Sequence, residues 1–546
     1  MGSKPASSTP THSPTWHRAL SSHIANNGST TISTGHDPYS YTAGRWLHQD
    51  KLQRQSRFLQ FDFLRLCETA MKLCDGASKV TKYEKKEGGY NRVFILTMDT
   101  GKRVAARIPT PVAGPPRLTV NSEVATIAYL QSKTSLPIPK ILAWNDDSSN
   151  PVGIEYIIQD HADGVQLHEQ WRLMDSLQHM QCTKDLSLKI EEMASLDFPA
   201  YGNIYFADAP IEKGLKIPLE DGFCIGPYCS PLFWNCGVGE AELYNEGNSN
   251  RGPWRNLTDY SFGLIDTAFS RIPKQANSND QLPFRGTIQD HIHLIKSCRE
   301  TMQVLVGDSH VQAAALPVLI HPDYHKRNIF VSQDDPTKVT ALVDWQLASI
   351  EPAFMYTQNT PDFASLPEET PADDEDTGKQ LSNDEQQLRN DISICHQTYD
   401  VIMRLKIPKM RIAKRLNPTL FRLFHYCFTT WRDGAPAIRQ ELLDLRSQWT
   451  ELELPGECPY VPTEEELRQH AAQYEDFETM QKLKAWLQAS LQISSDGWVP
   501  NEIWDAAKEA YRAAYKEWIE TARESEASGG DMTVGKADKL WPYDAR

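Results

Sequence analysis

The sequence predicts an α+β fold of two lobes, a small β-rich N-terminal lobe followed by a large, mainly helical C-terminal lobe. Three observations predict it. Short β-prone runs bounded by Gly, Asn and Asp turn signals occupy residues 87–108 and 151–159. Apolar residues at helical spacing recur at 118–132, around 167–197 and beyond residue 391. Between these helical stretches, a polar loop carrying His321, Asp323 and Asn328 runs into two further β-prone segments, the second ending at Asp344.

Taken in chain order, the first 36 residues contain no Asp or Glu, are rich in Ser and Thr, and carry only Lys4 and Arg18 as fixed cations. That composition reads either as a disordered tail or as a mitochondrial presequence, which normally has more Arg on an amphipathic helix. Glu87-Gly88-Gly89-Tyr90-Asn91 then opens a β run. Paired glycines let backbone amides approach phosphate oxygens, so Gly88, Gly89 and Asn91 are candidate nucleotide contacts; a plain tight turn reads equally well. Asp99-Thr100-Gly101 turns the chain into a second strand, Arg103 to Ile108, ending at Pro109. Alternation puts Ala105 and Arg107 on one face, from which Arg107 can grip a phosphate with both arms. The helix over 118–132 places Glu123 beside its apolar stripe, where an acid is costly unless paired, and Arg107 is the natural partner. Residues 151–159 read as a buried strand leading into a polar hinge at 160–164.

The most informative segment is His321-Pro322-Asp323-Tyr324-His325-Lys326-Arg327-Asn328, followed by Val343-Asp344-Trp345. Residues 328–332 and 339–343 predict a hairpin across a polar turn, which brings Asn328 and Asp344 to one end. Both can hold Mg²⁺ through hard oxygen ligands, and Asp323 in the preceding loop can take the proton of an acceptor hydroxyl. An Asp, an Asn five residues on and an Asp closing the next strand form a kinase-like catalytic loop. His321 buttresses that loop. Arg107 stands where the corresponding kinase strand has Lys.

These residues carry a resemblance to the aminoglycoside phosphotransferase and choline kinase group of protein-kinase-like folds. More narrowly, the chain resembles the fungal altered-inheritance-of-mitochondria protein nine family, in Tyr39 to Leu47, Glu87 to Phe94, Ala105 to Pro109, Ser122 to Thr126, Tyr201 to Phe206, Arg251 to Trp254, the catalytic loop, and Asp344 to Phe354. That subfamily itself uses Arg at the position of Arg107, while Pro322 departs from many phosphotransferases of the wider group. The resemblance implies ATP and Mg²⁺ as ligands, a phosphorylated small-molecule or other acceptor, and mitochondrial association. Two functions stay in play: a Mg-ATP phosphotransferase with Asp323 as base, or a nucleotide-binding mitochondrial scaffold with little catalysis. Transfer of AMP instead of phosphate is a third.

Composition narrows the partners. A formal net charge of −16 without a basic stripe argues against nucleic acid. No apolar run reaches a membrane span, and ten scattered cysteines suggest a reducing compartment, mitochondrial or otherwise cytoplasmic. Cys224, Cys229 and Cys236 fit no common zinc spacing. The expected organisation is a tail or targeting segment at 1–38, an N-lobe at 39–158, a C-lobe at 159–456 and a helical extension at 457–546 packed on the C-lobe. The C-lobe contains an irregular insertion at 221–256 and an acidic, solvated loop at 367–391. The aromatic stripe Trp504, Tyr511, Tyr515 and Trp518 predicts core packing against the large lobe. Oligomeric state and acceptor are not encoded in any motif.

Overall fold

The computed structural model describes residues 37–220, 222–244, 250–275, 282–367 and 382–545. Its N-terminal sheet consists of β1 (Val80–Glu87), β2 (Asn91–Met98), β3 (Arg103–Pro109), β4 (Ile141–Asn145) and β5 (Tyr156–Asp160), in the antiparallel order β1-β2-β3-β5-β4. The period of two along β3 decides what each face does. Val104, Ala106 and Ile108 join Leu66 and Ala70 of helix α1 (Phe63–Lys72) in a core on one side. Arg107 points to the other side, toward helix α2 (Leu118–Lys133), inserted between β3 and β4.

Helix α2 is buried almost all round, because it is sandwiched. One side meets Ile157 of β5 through Val120 and Val124. Another meets a three-stranded sheet of residues Asn203–Phe206, Ile217–Glu220 and Phe223–Gly226, with Leu118 packed on Tyr205, Cys224 and Cys229. A helix apolar on every face belongs inside a larger body. The loop before it is equally constrained. Gly114 has φ +142°, and a Cβ there would lie 2.7 Å from the Cys229 carbonyl, so only glycine fits.

The C-terminal lobe is built around helices α3 (Ser176–Ala194), α4 (Leu257–Ser270), α5 (Ile288–Leu305), α6 (Asn383–Leu405) and α7 (Ala435–Gln448), which enclose the largest hydrophobic core. The predicted hairpin is present as β6 (Ile329–Val331) and β7 (Val339–Leu342). Phe233 and Trp254 of the irregular insertion are core residues.

Two regions differ from expectation. The segment expected as an acidic loop through Asp391 is helical from Asn383. Ser382 and Glu385 form a capping box that starts α6, and Asp391 is buried against His179. Glu368, Glu369 and Asp373 to Asp376 lie outside the described residues, as do residues 1–36. The aromatic stripe of helix α9 (Trp504–Ala527) closes a separate small core with Leu47, Leu487, Val499 and Trp541, where packing on the large lobe was expected. The cause is a pairing no local pattern reveals: strand Gly44–Trp46 pairs antiparallel with Trp498–Pro500, folding the start of the described chain onto its end. Helix α8 (Glu464–Leu491) connects this unit to the large lobe, packing Phe477 and Met480 on Phe284. Among the described residues no helix is long and apolar enough to cross a membrane.

Candidate functional site

The cleft between the lobes is lined on its upper side by Arg107. Its guanidinium pairs with Glu123 of α2 and, at 2.9 Å, with Asp344 of the opposite lobe. Its Nη2 also donates to Gln346 Oε1 at 3.0 Å. The Asn91 amide, turned so that donors meet acceptors, accepts from Arg107 Nε at 3.0 Å and Nη2 at 2.7 Å and donates to Gln346 at 3.2 Å. Arg107, Glu123, Asn91 and Gln346 are all buried. Burial lifts the Glu123 carboxyl, against the pull of Arg107, to about 7.

The glycine pair forms the turn between β1 and β2, closed by Gly88 N–H donating to the Asn91 carbonyl at 2.8 Å. Arg57 Nε donates to the Gly89 carbonyl at 2.9 Å, and the same guanidinium stacks over Trp46 at 4.5 Å. The loop is therefore braced from the strand that pairs with the C-terminal extension. Asn91 is turned inward to Arg107, whereas Gly88 and Gly89 stay at the loop tip.

On the lower side, the catalytic-type loop is fixed by its own backbone: His325 N–H donates to the Asp323 carbonyl at 2.9 Å and Asn328 N–H to that of His325 at 2.8 Å. His321 receives the Asp323 N–H on Nδ1 at 3.1 Å and reaches the Val343 carbonyl with Nε2 at 2.9 Å, so it carries its proton on Nε2. Burial pushes its pKa down to about 3, and it stays neutral. Asn328 Nδ2 donates to Asp323 Oδ2 at 2.8 Å. Val343 N–H donates to the Asn328 carbonyl at 3.0 Å, which brings Asp344 next to Asn328. Asp323, Asn328 and Asp344 thus converge under Arg107. Asp344 has φ +69°, a left-handed conformation rare for a non-glycine residue and typical of strained functional positions.

Burial raises Asp323 to about 7, with the neighbouring Asp344 adding to the rise and His325 and Asn328 opposing it. His325 lies between two carboxylates: Nε2 is 3.2 Å from Asp323 Oδ1 and Nδ1 is 3.5 Å from Asp362 Oδ1. Burial works against its charge, yet Asp362 and Asp323 outweigh it, and its pKa is raised. Asp362 is in turn held by Lys326, whose backbone N–H donates to it at 3.0 Å.

Four residues of this arrangement escape a sequence reading: Gln346, His325, Asp362 and Arg57. His325 lies within the motif and two residues from Asp323, so it carried a signal. Arg57 and Asp362 reach the site only through tertiary folding, and Gln346 reads as an ordinary polar residue after Asp-Trp.

Residues 293–355, which span the loop, the hairpin and Asp344, match the phosphotransferase enzyme family. A subtelomeric hrmA-associated cluster protein of Aspergillus fumigatus is 27% identical over 84% of this chain and 95% of its own. A Yarrowia lipolytica protein named altered inheritance of mitochondria protein 9, mitochondrial, is 22% identical over 87% of each chain. Among solved structures, the aminoglycoside phosphotransferase APH(2'')-Ib with ADP bound aligns with 70% of this chain and 95% of its own, at 10% identity and a TM-score of 0.36.

Proposed function

We propose that the protein is an ATP- and Mg²⁺-dependent phosphotransferase acting on an acceptor hydroxyl. The observation that carries this reading is the convergence of Asp323, Asn328 and Asp344 beneath an arginine anchored by Glu123. The donor set suits a hard cation: Asp344 remains partly accessible and carries a carboxylate, and Asn328 offers an amide oxygen while its nitrogen is occupied by Asp323. Asn328 and Asp344 would hold Mg²⁺, whose charge neutralises phosphate oxygens when it is bound. Arg107 would meet the phosphates with the donor that Asp344 holds in this structure, while Glu123 and Gln346 fix its plane. Gly88 and Gly89 cover the phosphates from above. Asp323 accepts the proton of the acceptor hydroxyl, a role for which a pKa raised towards neutrality is suited. The family matched by residues 293–355 supports the phosphotransfer chemistry, and the names of the yeast relatives support a mitochondrial location.

A second reading, a nucleotide-binding scaffold with little turnover, is favoured by one observation. Asp344 is already paired with Arg107, and a metal must compete for it. A thermal-shift titration separates the two, because stabilisation follows ligand concentration over dissociation constant. The enzyme reading expects ATP to stabilise the protein only with Mg²⁺. It further expects Asp344→Ala to abolish that shift, and Asp323→Ala to keep the shift while ending phosphate transfer. ATP stabilisation in a protein that transfers no phosphate favours the scaffold, and absence of any ATP effect overturns both readings.

A further inference from the structure

Where the two ends of the described chain meet, an open cavity of about 550 Å³ shares no residue with the cleft between the lobes. Its volume suits a small molecule. One wall is strand Gly44–Trp46 with the short helix Asp50–Gln55 that follows it, and the other is the start of α9 with Asp544 and Ala545.

The charges that line the cavity are unequally engaged. Asp50 is spent on the protein: its Oδ2 accepts from Arg45 Nη2 at 2.9 Å and Arg54 Nη2 at 3.1 Å, and its Oδ1 accepts the Trp46 N–H at 3.1 Å. Asp544 accepts the Gln49 N–H at 3.1 Å and lies 3.5 Å from His48 Nδ1. The cations are freer. Arg45 lays its guanidinium 4.4 Å over the Trp504 ring, and the Lys508 ammonium lies 5.7 Å from the same ring. Among the described residues Lys51 and Lys508 have neither an ion pair nor a hydrogen bond. Both acids are answered within the fold while two ammonium groups remain open, so the cavity is complementary to negative charge. Leu52, an exposed leucine, and Trp504 add apolar surface to the same walls. An inorganic ion leaves that surface wet, whereas an anion with an apolar body covers it.

The wall of the cavity continues to the glycine loop. Trp46 lines the cavity and carries Arg57 at 4.5 Å over its ring. Arg57 Nη1 donates to the Gln53 carbonyl of the short helix at 2.9 Å, and its Nε donates to the Gly89 carbonyl at 2.9 Å. A ligand seated between the short helix and α9 therefore restrains the residues that set the position of Arg57.

We propose that this cavity binds a small organic anion, a carboxylate or phosphate on an apolar body, held by Lys51 and Lys508, and that its occupancy stiffens the glycine loop through Arg57. The site is independent of the phosphotransfer reading, because no nucleotide enters its residues or its test.

Calorimetry on the full chain with naphthoate, naphthyl phosphate, neutral naphthalenemethanol and inorganic phosphate tests the site, and amide hydrogen exchange over residues 87–91 tests the link to the loop. One or both naphthyl anions should bind saturably, about tenfold tighter than the alcohol and than inorganic phosphate, and the tighter of the two identifies the head group. Lys51→Met combined with Lys508→Met should weaken that binding about tenfold, and Lys51→Arg with Lys508→Arg should keep it. Lys516→Met, at an exposed lysine of α9 that does not line the cavity, should leave it unchanged. The bound anion should slow exchange at residues 88–91 about threefold in the parent and not in the double methionine variant. The proposal is overturned if neither anion binds, if the alcohol or inorganic phosphate binds as tightly, if the double methionine variant binds like the parent, or if the bound anion leaves exchange at residues 88–91 unchanged. Binding that Lys516→Met also loses is general attraction to charge and overturns the site as well.

Discussion

The two sides of the cleft hold their key charges in opposite ways. Arg107 is saturated: Glu123, Asp344, Gln346 and Asn91 occupy its donors within a buried network. Asp323 is left adjustable, with one oxygen on Asn328 and the other facing His325, a group that itself titrates. A saturated charge is fixed in place and serves positioning, whereas a carboxyl poised near neutrality serves exchange of a proton. The difference teaches which residues should govern binding and which should govern turnover.

The sharpest way to break the contrast is to remove the exchangeable proton site. Asp323→Asn is expected to lower kcat by a factor of roughly 10² to 10⁴ with the ATP affinity unchanged, as read from steady-state kinetics beside a binding isotherm. The converse substitution acts on the saturated side. Glu123→Gln leaves Arg107 buried with one acceptor fewer in charge, and urea unfolding should show a loss of about 3 kcal/mol, together with weaker ATP binding. A similar fall in kcat at full stability would contradict the positioning role.

Smaller effects sharpen the picture. Gln346→Ala removes a neutral bond to a charged group, about 1.5 kcal/mol by ordinary magnitudes, and should raise KM for ATP about tenfold more than it changes kcat. The pH profile is the finest probe. A base must be ionised to work, and Asp323 is raised to about 7, so kcat/KM should climb as pH rises through about 7 and level off above it. His325 lowers that value, so His325→Gln should move the midpoint to higher pH; because the pair shares its titration, the shift is read as an apparent value. A midpoint that stays put would remove His325 from the proton chemistry.

Part of this arrangement is legible in the residues alone. The spacing of Asp323, Asn328 and Asp344, the alternation that turns Arg107 inward, and the cost of burying Glu123 unpaired all act over a few residues or between neighbouring elements. Local patterns carry them because strand period and hairpin geometry are local. The start of α6 is masked in the sequence although Ser382 and Glu385 are a capping box, because the acidic run before them dominates the local composition.

What remained was decided by the tertiary structure. Strand Gly44–Trp46 meets Trp498–Pro500 across some 450 residues, and with it comes Arg57 at the glycine loop. Asp362 reaches His325 in the same non-local way. By itself the sequence determined the kind of fold, the loop and the identity of its charged groups, because chain period and residue chemistry are written position by position. Which of those groups share a field, and hence which is pinned and which is free to titrate, followed only from burial and from contacts between distant segments.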